Sequence, residues 1–256
     1  MIKEKFDLTG RWALVTGSAR GIGRAIAAGL AEFGAKVVGH GTKPTQPLEE
    51  SLAAVRAWSP DSFAVTGDLA EEGAAAKLFG GMRARGVEPD IVVCNASVQK
   101  NVPWNEITQA DMAWQMQVNF NATFQMFQLA YPHMKAQGWG RMIVVGSVQE
   151  QRPHPLMAVY AASKSAQENL VRNLARQISK EGITVNNLCP GVFATDRNRE
   201  ALGNPVYAEK VLAAIPMHDY ARPEDAAGTA VLLASDAGRY ITGTTILIDG
   251  GLRLPG

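Results

Sequence analysis

Only two cysteines, Cys94 and Cys189, occur in 256 residues, and each ends an apolar, strand-like run. Neither has His or acidic partners at ligand spacing, so both read as buried, reduced, structural thiols, and no metal site is expected. An excess of one charge is also missing: 25 Lys+Arg stand against 24 Asp+Glu with no block of like sign. That argues against nucleic acid or an anionic membrane as the main partner. No stretch is apolar and long enough to span a bilayer, and residues 1–6 lack the apolar run of a signal peptide. A soluble, cytoplasmic chain is the expectation. Repeats, low-complexity tracts and linkers are absent too, so residues 1–256 are read as a single domain with room for a full core.

What is present is an alternation. Short apolar runs at 12–16, 36–40, 62–66, 91–94, 142–145, 184–188 and 245–248 predict strands. They are apolar almost throughout, as expected when helices cover both faces of a parallel sheet. Between them lie helical patterns, with Ile22, Ile26, Leu30 and Phe33 forming one stripe and Leu170, Leu174 and Ile178 another. The pattern predicts an α/β fold, a doubly wound Rossmann fold with a seven-stranded parallel sheet flanked by helices. The irregular stretch 195–216 is either a lid over a site or a surface excursion with a short helix.

Two motifs carry chemistry. Thr16-Gly17-Ser18-Ala19-Arg20-Gly21-Ile22-Gly23 joins the first strand to the first helix. There Gly17 permits a tight turn, Gly21 lets a pyrophosphate approach the backbone, and Gly23 lets the helix pack against the strand. Tyr160 and Lys164 lie four apart, which puts phenol and ammonium on one helix face. A free phenol ionises near pH ~10, and a neighbouring cation is expected to draw that value down toward neutrality. Either motif alone is weak; their order along one chain is the signal.

The three residues between Gly17 and Gly21, a downstream Ser147 and the Tyr160-x-x-x-Lys164 pair resemble the short-chain dehydrogenase/reductase family in its compact single-domain branch. The resemblance covers essentially the whole chain. Its further landmarks are Asp68, Asn95-Ala96, Asn119, the 190–195 segment, Ile241-Thr242-Gly243 and Asp249-Gly250-Gly251. It implies Asn119, Ser147, Tyr160 and Lys164 as the catalytic set. Tyr160 would exchange the proton, Ser147 orient the substrate oxygen, Lys164 hold the nicotinamide ribose, and Asn119 extend a relay from Lys164 through a water. Cofactor contacts are expected at Gly17, Ser18, Arg20, Gly21, Ile22, Gly23, Asp68, Leu69, Asn95, Ala96, Ser97, Tyr160, Lys164, Pro190, Gly191, Val192 and Thr195. Thr195 and the backbone at Val192 would meet the nicotinamide carboxamide.

At the end of the second strand stand Gly41, Thr42 and Lys43, with Gly41 where the family's NAD enzymes carry Asp. No carboxylate there repels a 2′-phosphate, so NADP is expected, with NAD possible if the position is indifferent. Two departures follow the fourth strand. Cys94 and Ser97 replace the first asparagine and the glycine of the family's Asn-Asn-Ala-Gly, and Ser97 brings a Cβ and a hydroxyl near the expected ribose.

Substrate contacts are expected at Gln99, Ser147, Gln149, Arg152 and Tyr160, with Gln151 and His154 on the rim. Amides and an arginine suit a polyol, sugar or sugar acid; a 3-oxoacyl thioester is the alternative, and Trp104, Trp114 and Met157 speak for apolar character. A catalytically silent nucleotide sensor is the rival of another class. A sugar-nucleotide epimerase shares the Tyr/Lys pair but resembles a longer, two-part chain. The resemblance also implies a homotetramer, with the helices around the fifth strand and residues 249–256 at its contacts.

Overall fold

Seven strands follow from the apolar runs: β1 (Trp12–Val15), β2 (Lys36–Gly41), β3 (Phe63–Thr66), β4 (Ile91–Cys94), β5 (Gly140–Val145), β6 (Ile183–Pro190) and β7 (Thr245–Ile248). The computed structural model describes residues 1–254. The strands form one sheet in the order β3-β2-β1-β4-β5-β6-β7. Every neighbouring pair is parallel. The order reverses between β1 and β4, the point at which a doubly wound sheet opens a crevice beyond its carboxyl ends.

Nine helices among the described residues complete the chain: α1 (Gly21–Glu32), α2 (Gln46–Arg56), α3 (Ala74–Arg83), α4 (Gln109–Met116), α5 (Ala122–Gln137), α6 (Ala158–Ile178), α7 (Asp196–Leu202), α8 (Pro205–Ala213) and α9 (Ala227–Ala234). Successive β1 residues feed opposite cores, because side chains alternate along a strand. Leu14 packs with Phe79 of α3, Phe127 of α5 and Val171 of α6. Ala13 and Val15 pack with Ile26 and Leu30 of α1 and Leu233 of α9. Burial on both faces is why these strands read as unbroken apolar runs.

The elements differ from the sequence reading where polar residues enter them. β5 starts two residues early because Arg141 belongs to it, buried, with its guanidinium on the Gly140 carbonyl at 2.9 Å and on Asp236 at 2.9 Å. In α6 the stripe Leu170, Leu174 and Ile178 is only half-buried. The face turned inward is Tyr160, Ser163, Lys164, Gln167, Val171 and Ala175, polar at its start and apolar at its end. Phe33 lies at the open end of α1 and is exposed, as are Trp104 and Trp114, which therefore belong to no core. The stretch 195–216 is not irregular: it holds α7 and α8, the second started by Asn204, whose side chain accepts from the Tyr207 N–H at 3.1 Å, and by Pro205. The expected contact segment 249–256 runs as turns to Leu254, and its last two residues lie outside the described residues.

Candidate active site

The turn after β1 is fastened to the end of β4 by bonds between two side chains and the main chain. Thr16 Oγ1 accepts from the N–H groups of Asn95 and Ala96, both at 3.0 Å. The Asn95 amide in turn donates to the carbonyls of Thr16 at 2.9 Å and Gly17 at 3.2 Å. Gly17 takes φ +64°, a region that L side chains avoid. A Cβ on Gly23 would overlap the Asn95 amide and the Gly17 carbonyl, so only glycine lets α1 start this close to β1.

His40, at the end of β2, fixes the same turn from the other side. Its Nδ1 accepts from the Gly17 N–H at 3.2 Å and its Nε2 meets the Gly67 carbonyl at 2.9 Å. One partner is only a donor and the other only an acceptor, so the ring is the neutral Nε2–H tautomer. Burial agrees, holding His40 below the usual histidine range. Ser18 adds two bonds to the His40 main chain, its N–H donating to the carbonyl at 3.0 Å and its hydroxyl accepting from the N–H at 2.9 Å.

Tyr160 and Lys164 lie at the amino end of α6, both buried. The Lys164 ammonium donates to the Val145 carbonyl at 2.8 Å and sits 5.8 Å from the centre of the Tyr160 ring. Ser147, just past the end of β5, opens a single 3₁₀ turn, its Oγ accepting from the Gln149 N–H at 3.2 Å. Its hydroxyl and that of Ser97 lie beside the Tyr160 phenol. Asn119 occupies a π turn (Gln117–Asn121) between α4 and α5, and its amide clasps Val98 with bonds of 2.9 and 3.0 Å while donating to Ser163 Oγ at 3.0 Å.

Residues 17–253 match the family model described as enoyl-(acyl carrier protein) reductase. The chain is 32% identical over 250 residues to the gluconate 5-dehydrogenase of Gluconobacter oxydans, covering 96% of each. Among solved structures it superposes at TM-score 0.93 on a 3-oxoacyl (acyl-carrier-protein) reductase of Agrobacterium tumefaciens with NADP bound, 40% identical, covering 98% of this chain and 97% of that one. It superposes at TM-score 0.91 on a gluconate 5-dehydrogenase of Burkholderia cenocepacia in complex with NADP and tartrate, 31% identical, with full coverage of both chains (100%). The chain belongs to the short-chain dehydrogenase/reductase family. It is an oxidoreductase of that family.

As a short-chain dehydrogenase/reductase it shows one departure in electrostatics. The sequence leads one to expect Lys164 to depress the Tyr160 phenol. Burial dominates instead and holds Tyr160 above the usual tyrosine range, opposed by the Arg197 guanidinium and the hydroxyls of Ser147 and Ser97. Lys164 is itself pushed down to about 8, by burial first and by Arg197 second. Of the charges that oppose burial at the phenol, that of Arg197 is the largest.

The rim residues divide. Ser97, Ser147 and Tyr160 come together. Arg152 turns away, its guanidinium on the Leu252 carbonyl at 2.5 Å. Gln149 is occupied by the His154 N–H at 2.5 Å, and Gln151 by Arg253 at 3.0 Å, so this turn is strapped to the C-terminal segment. Gln99 is half-buried beyond Val98. Between Lys164 and Asn119 there is no direct hydrogen bond; the Asn119 carbonyl accepts from Gln167 and from Thr123 Oγ1. Two residues outside the sequence reading join the centre, Arg197 and Glu150. The Glu150 carboxyl accepts from the Ser147 N–H at 2.9 Å and from the Asn187 amide at 2.8 Å. Burial pushes it up to about 7, against the Ser147 N–H and the charge of Lys164.

The donor set fits a dinucleotide phosphate. Gly41 is buried and presents no side chain, whereas Thr42, Lys43 and Arg20 are exposed around it. Asp68 folds back on the Ala70 N–H at 2.9 Å, and Leu69 beside it is buried. Lys164 spends one of its ammonium donors on the Val145 carbonyl. Thr195 stands over Gly21 at the end of the 190–195 segment. Cys94 and Cys189 are free and buried, and burial pushes the Cys94 thiol up to about 12, which keeps it inert.

Proposed function

We propose that this chain interconverts a secondary hydroxyl and a ketone on a sugar acid or related polyol, with NADP(H) as cofactor. The observation that carries the reading is the buried Tyr160 phenol, beside the Ser147 hydroxyl and one turn from Lys164, at the crevice onto which the glycine turn opens. NADP(H), when bound, supplies or accepts the hydride. The residues of this chain handle the proton. Tyr160 gives it to the carbonyl oxygen in reduction and takes it from the hydroxyl in oxidation, while Ser147 orients that oxygen. Lys164 holds the ribose, and Asn119 sets the π turn against Val98. Gly17, Ser18, Arg20, Gly21, Ile22 and Gly23 receive the pyrophosphate, and Thr42 and Lys43 the 2′-phosphate. Asp68 and Leu69 flank the adenine, Asn95, Ala96 and Ser97 the ribose, and Pro190, Gly191, Val192 and Thr195 the nicotinamide.

The donor set around Gly41 supports NADP, as do the NADP-bound relatives. The gluconate 5-dehydrogenase relatives support a sugar acid. A second reading, reduction of a 3-oxoacyl thioester, is favoured by the 40% identity to the Agrobacterium tumefaciens reductase. Absorbance at 340 nm across sugar acids, alditols and 3-oxoacyl thioesters separates the two. Turnover of sugar acids with NADP exceeding that of thioesters with NADPH is expected, and the reverse order overturns the proposal. Assembly as a homotetramer in the cytoplasm completes it; the half-buried leucines of α6 and the free thiols support those two points, and light scattering tests the first.

A further inference from the structure

Five guanidinium groups lie around the crevice or its rim, and four of them have other work or another address. Arg152 is tied to the Leu252 carbonyl and Arg253 to Gln151, both away from Tyr160. Arg199, two residues along α7, pairs with Asp196. Arg20 stands on the glycine turn, at the opposite end of the crevice. Arg197 differs from all of these. Its Nη1 donates to Ser97 Oγ at 2.9 Å and its Nη2 to the Ser97 carbonyl at 2.7 Å, across a hundred residues of chain. Among the described residues it forms no ion pair, and three of its five N–H groups have no hydrogen-bond partner.

Ser97 is the residue that stands where the family pattern has glycine. Its hydroxyl gives the guanidinium a second anchor, so the fork is held in one plane rather than swinging at the end of a long side chain. The orientation has an electrostatic consequence: Arg197 exerts the largest charge effect on both Tyr160 and Lys164, which fixes its charge at the reacting end of the crevice. A cation with unbonded donors beside the proton-exchanging phenol presents the planar, bidentate geometry that a carboxylate matches.

We infer that Arg197, moored by Ser97, binds the carboxylate of the substrate and selects a hydroxy acid over the corresponding neutral alcohol. The inference rests on the sugar-acid reading above and adds to it the residue that does the selecting. The carboxylate takes up the unbonded donors of Arg197 while a hydroxyl further along the same carbon chain lies between Ser147 and Tyr160. Ser97 is then a positioning residue, acting on the substrate through Arg197.

The test compares a sugar acid with the alditol that carries CH2OH in place of its carboxylate, D-gluconate and D-glucitol being the first pair. In the wild type the acid is preferred. In Arg197→Met the ratio of the two kcat/KM values, acid over alditol, falls by about 10- to 100-fold, the range of one charge-assisted bidentate contact. Taking the ratio cancels any change in Tyr160 titration that both substrates feel. Arg197→Lys keeps the charge but loses the fork and recovers only part of the ratio; Ser97→Gly lowers it by a few-fold, mainly through KM. A binding readout independent of turnover uses the NADPH form of the whole enzyme and D-gluconate, which cannot react together. Calorimetry gives a Kd for D-gluconate about 10-fold or more weaker in Arg197→Met, with the Kd of NADPH itself moving less than about 3-fold.

An unchanged acid-to-alditol ratio in Arg197→Met, with gluconate still turned over, overturns this inference and leaves the sugar-acid reading standing. Loss of NADPH affinity equal to the loss of gluconate affinity also overturns it, by assigning the guanidinium to the cofactor. Turnover confined to 3-oxoacyl thioesters overturns both.

Discussion

At the glycine turn nearly every bond has main chain on at least one side, and its few side chains (Thr16, His40, Asn95) each hold two partners at once. Around Tyr160 main chain still takes part in the bonds, but charged and hydroxyl side chains carry the chemistry. Ser97, Ser147, Glu150, Lys164 and Arg197 arrive from four segments, and what they bring to the phenol is hydroxyls and charge. The first end is a shape that main chain defines, and a missing Cβ is its chief requirement. The second end is an electrostatic balance, in which burial raises the Tyr160 phenol and Arg197 lowers it. A substitution at the first end should therefore change what binds, and one at the second how fast and at what pH the proton moves.

The sharpest break between the ends is Tyr160→Phe. Turnover should fall by ~1,000-fold or more, the scale of a lost general acid, while the Kd of NADPH by fluorescence titration moves no more than about 5-fold. Substantial residual activity would assign the proton to another group. Next in size is Gly41→Asp at the opposite end. A Cβ there comes 3.2 Å from the flexible tip of Leu48, so the backbone can keep its path. The new carboxylate repels a 2′-phosphate, and the NADP-over-NAD ratio of kcat/KM should drop at least about 10-fold with substrate preference unaltered. A coupled shift in substrate preference would show that the two ends are not separable.

The smallest effect expected is that of Glu150→Gln. Its charge raises both Tyr160 and Lys164, so removing it should move the pH–rate profile for alcohol oxidation toward lower pH. Stability carries a second sign. The carboxyl titrates higher in the fold, about 7, than its ordinary 4.5, so the native state holds the extra proton between those values. Wild-type stability then falls as pH rises from about 4.5 to about 7, and the glutamine variant lacks that fall. Glutamine also keeps an acceptor for the Ser147 N–H, and once the Asn187 amide turns over, its own amide donates to Asn187 Oδ1, which has no hydrogen-bond partner among the described residues. Its Tm should exceed the wild type's by a few degrees at pH 8 and converge with it at pH 5; identical profiles at both values would remove Glu150 from the balance.

Legibility in the sequence follows the same division. The sheet could be read because both-face burial makes a strand such as Ile91–Cys94 apolar at every position, and its ends and those of Thr245–Ile248 fall as expected. It was misread where a charge is buried, as at Arg141, whose partner Asp236 lies far along the chain. The α8 helix has a local signal in the sequence, Asn204 followed by Pro205. Glu150 had one too, since Ser147-x-x-Glu150 has capping-box spacing and forms that box. Arg197 had none. Its place depends on a contact with Ser97 that no local pattern encodes, and Arg152, nearer to Tyr160 in the chain, was the natural choice until Leu252 claimed it.

His40 has a mechanical meaning as well as a chemical one. Its two hydrogen bonds, to Gly17 and to Gly67, leave from opposite sides of a ring with no rotatable bond between them. The imidazole is a strut: the turn after β1 cannot move by a fraction of an ångström without pushing on the turn that carries Asp68. Two loops far apart in the chain, at Gly17 and Gly67, are thereby made into one rigid lip of the crevice.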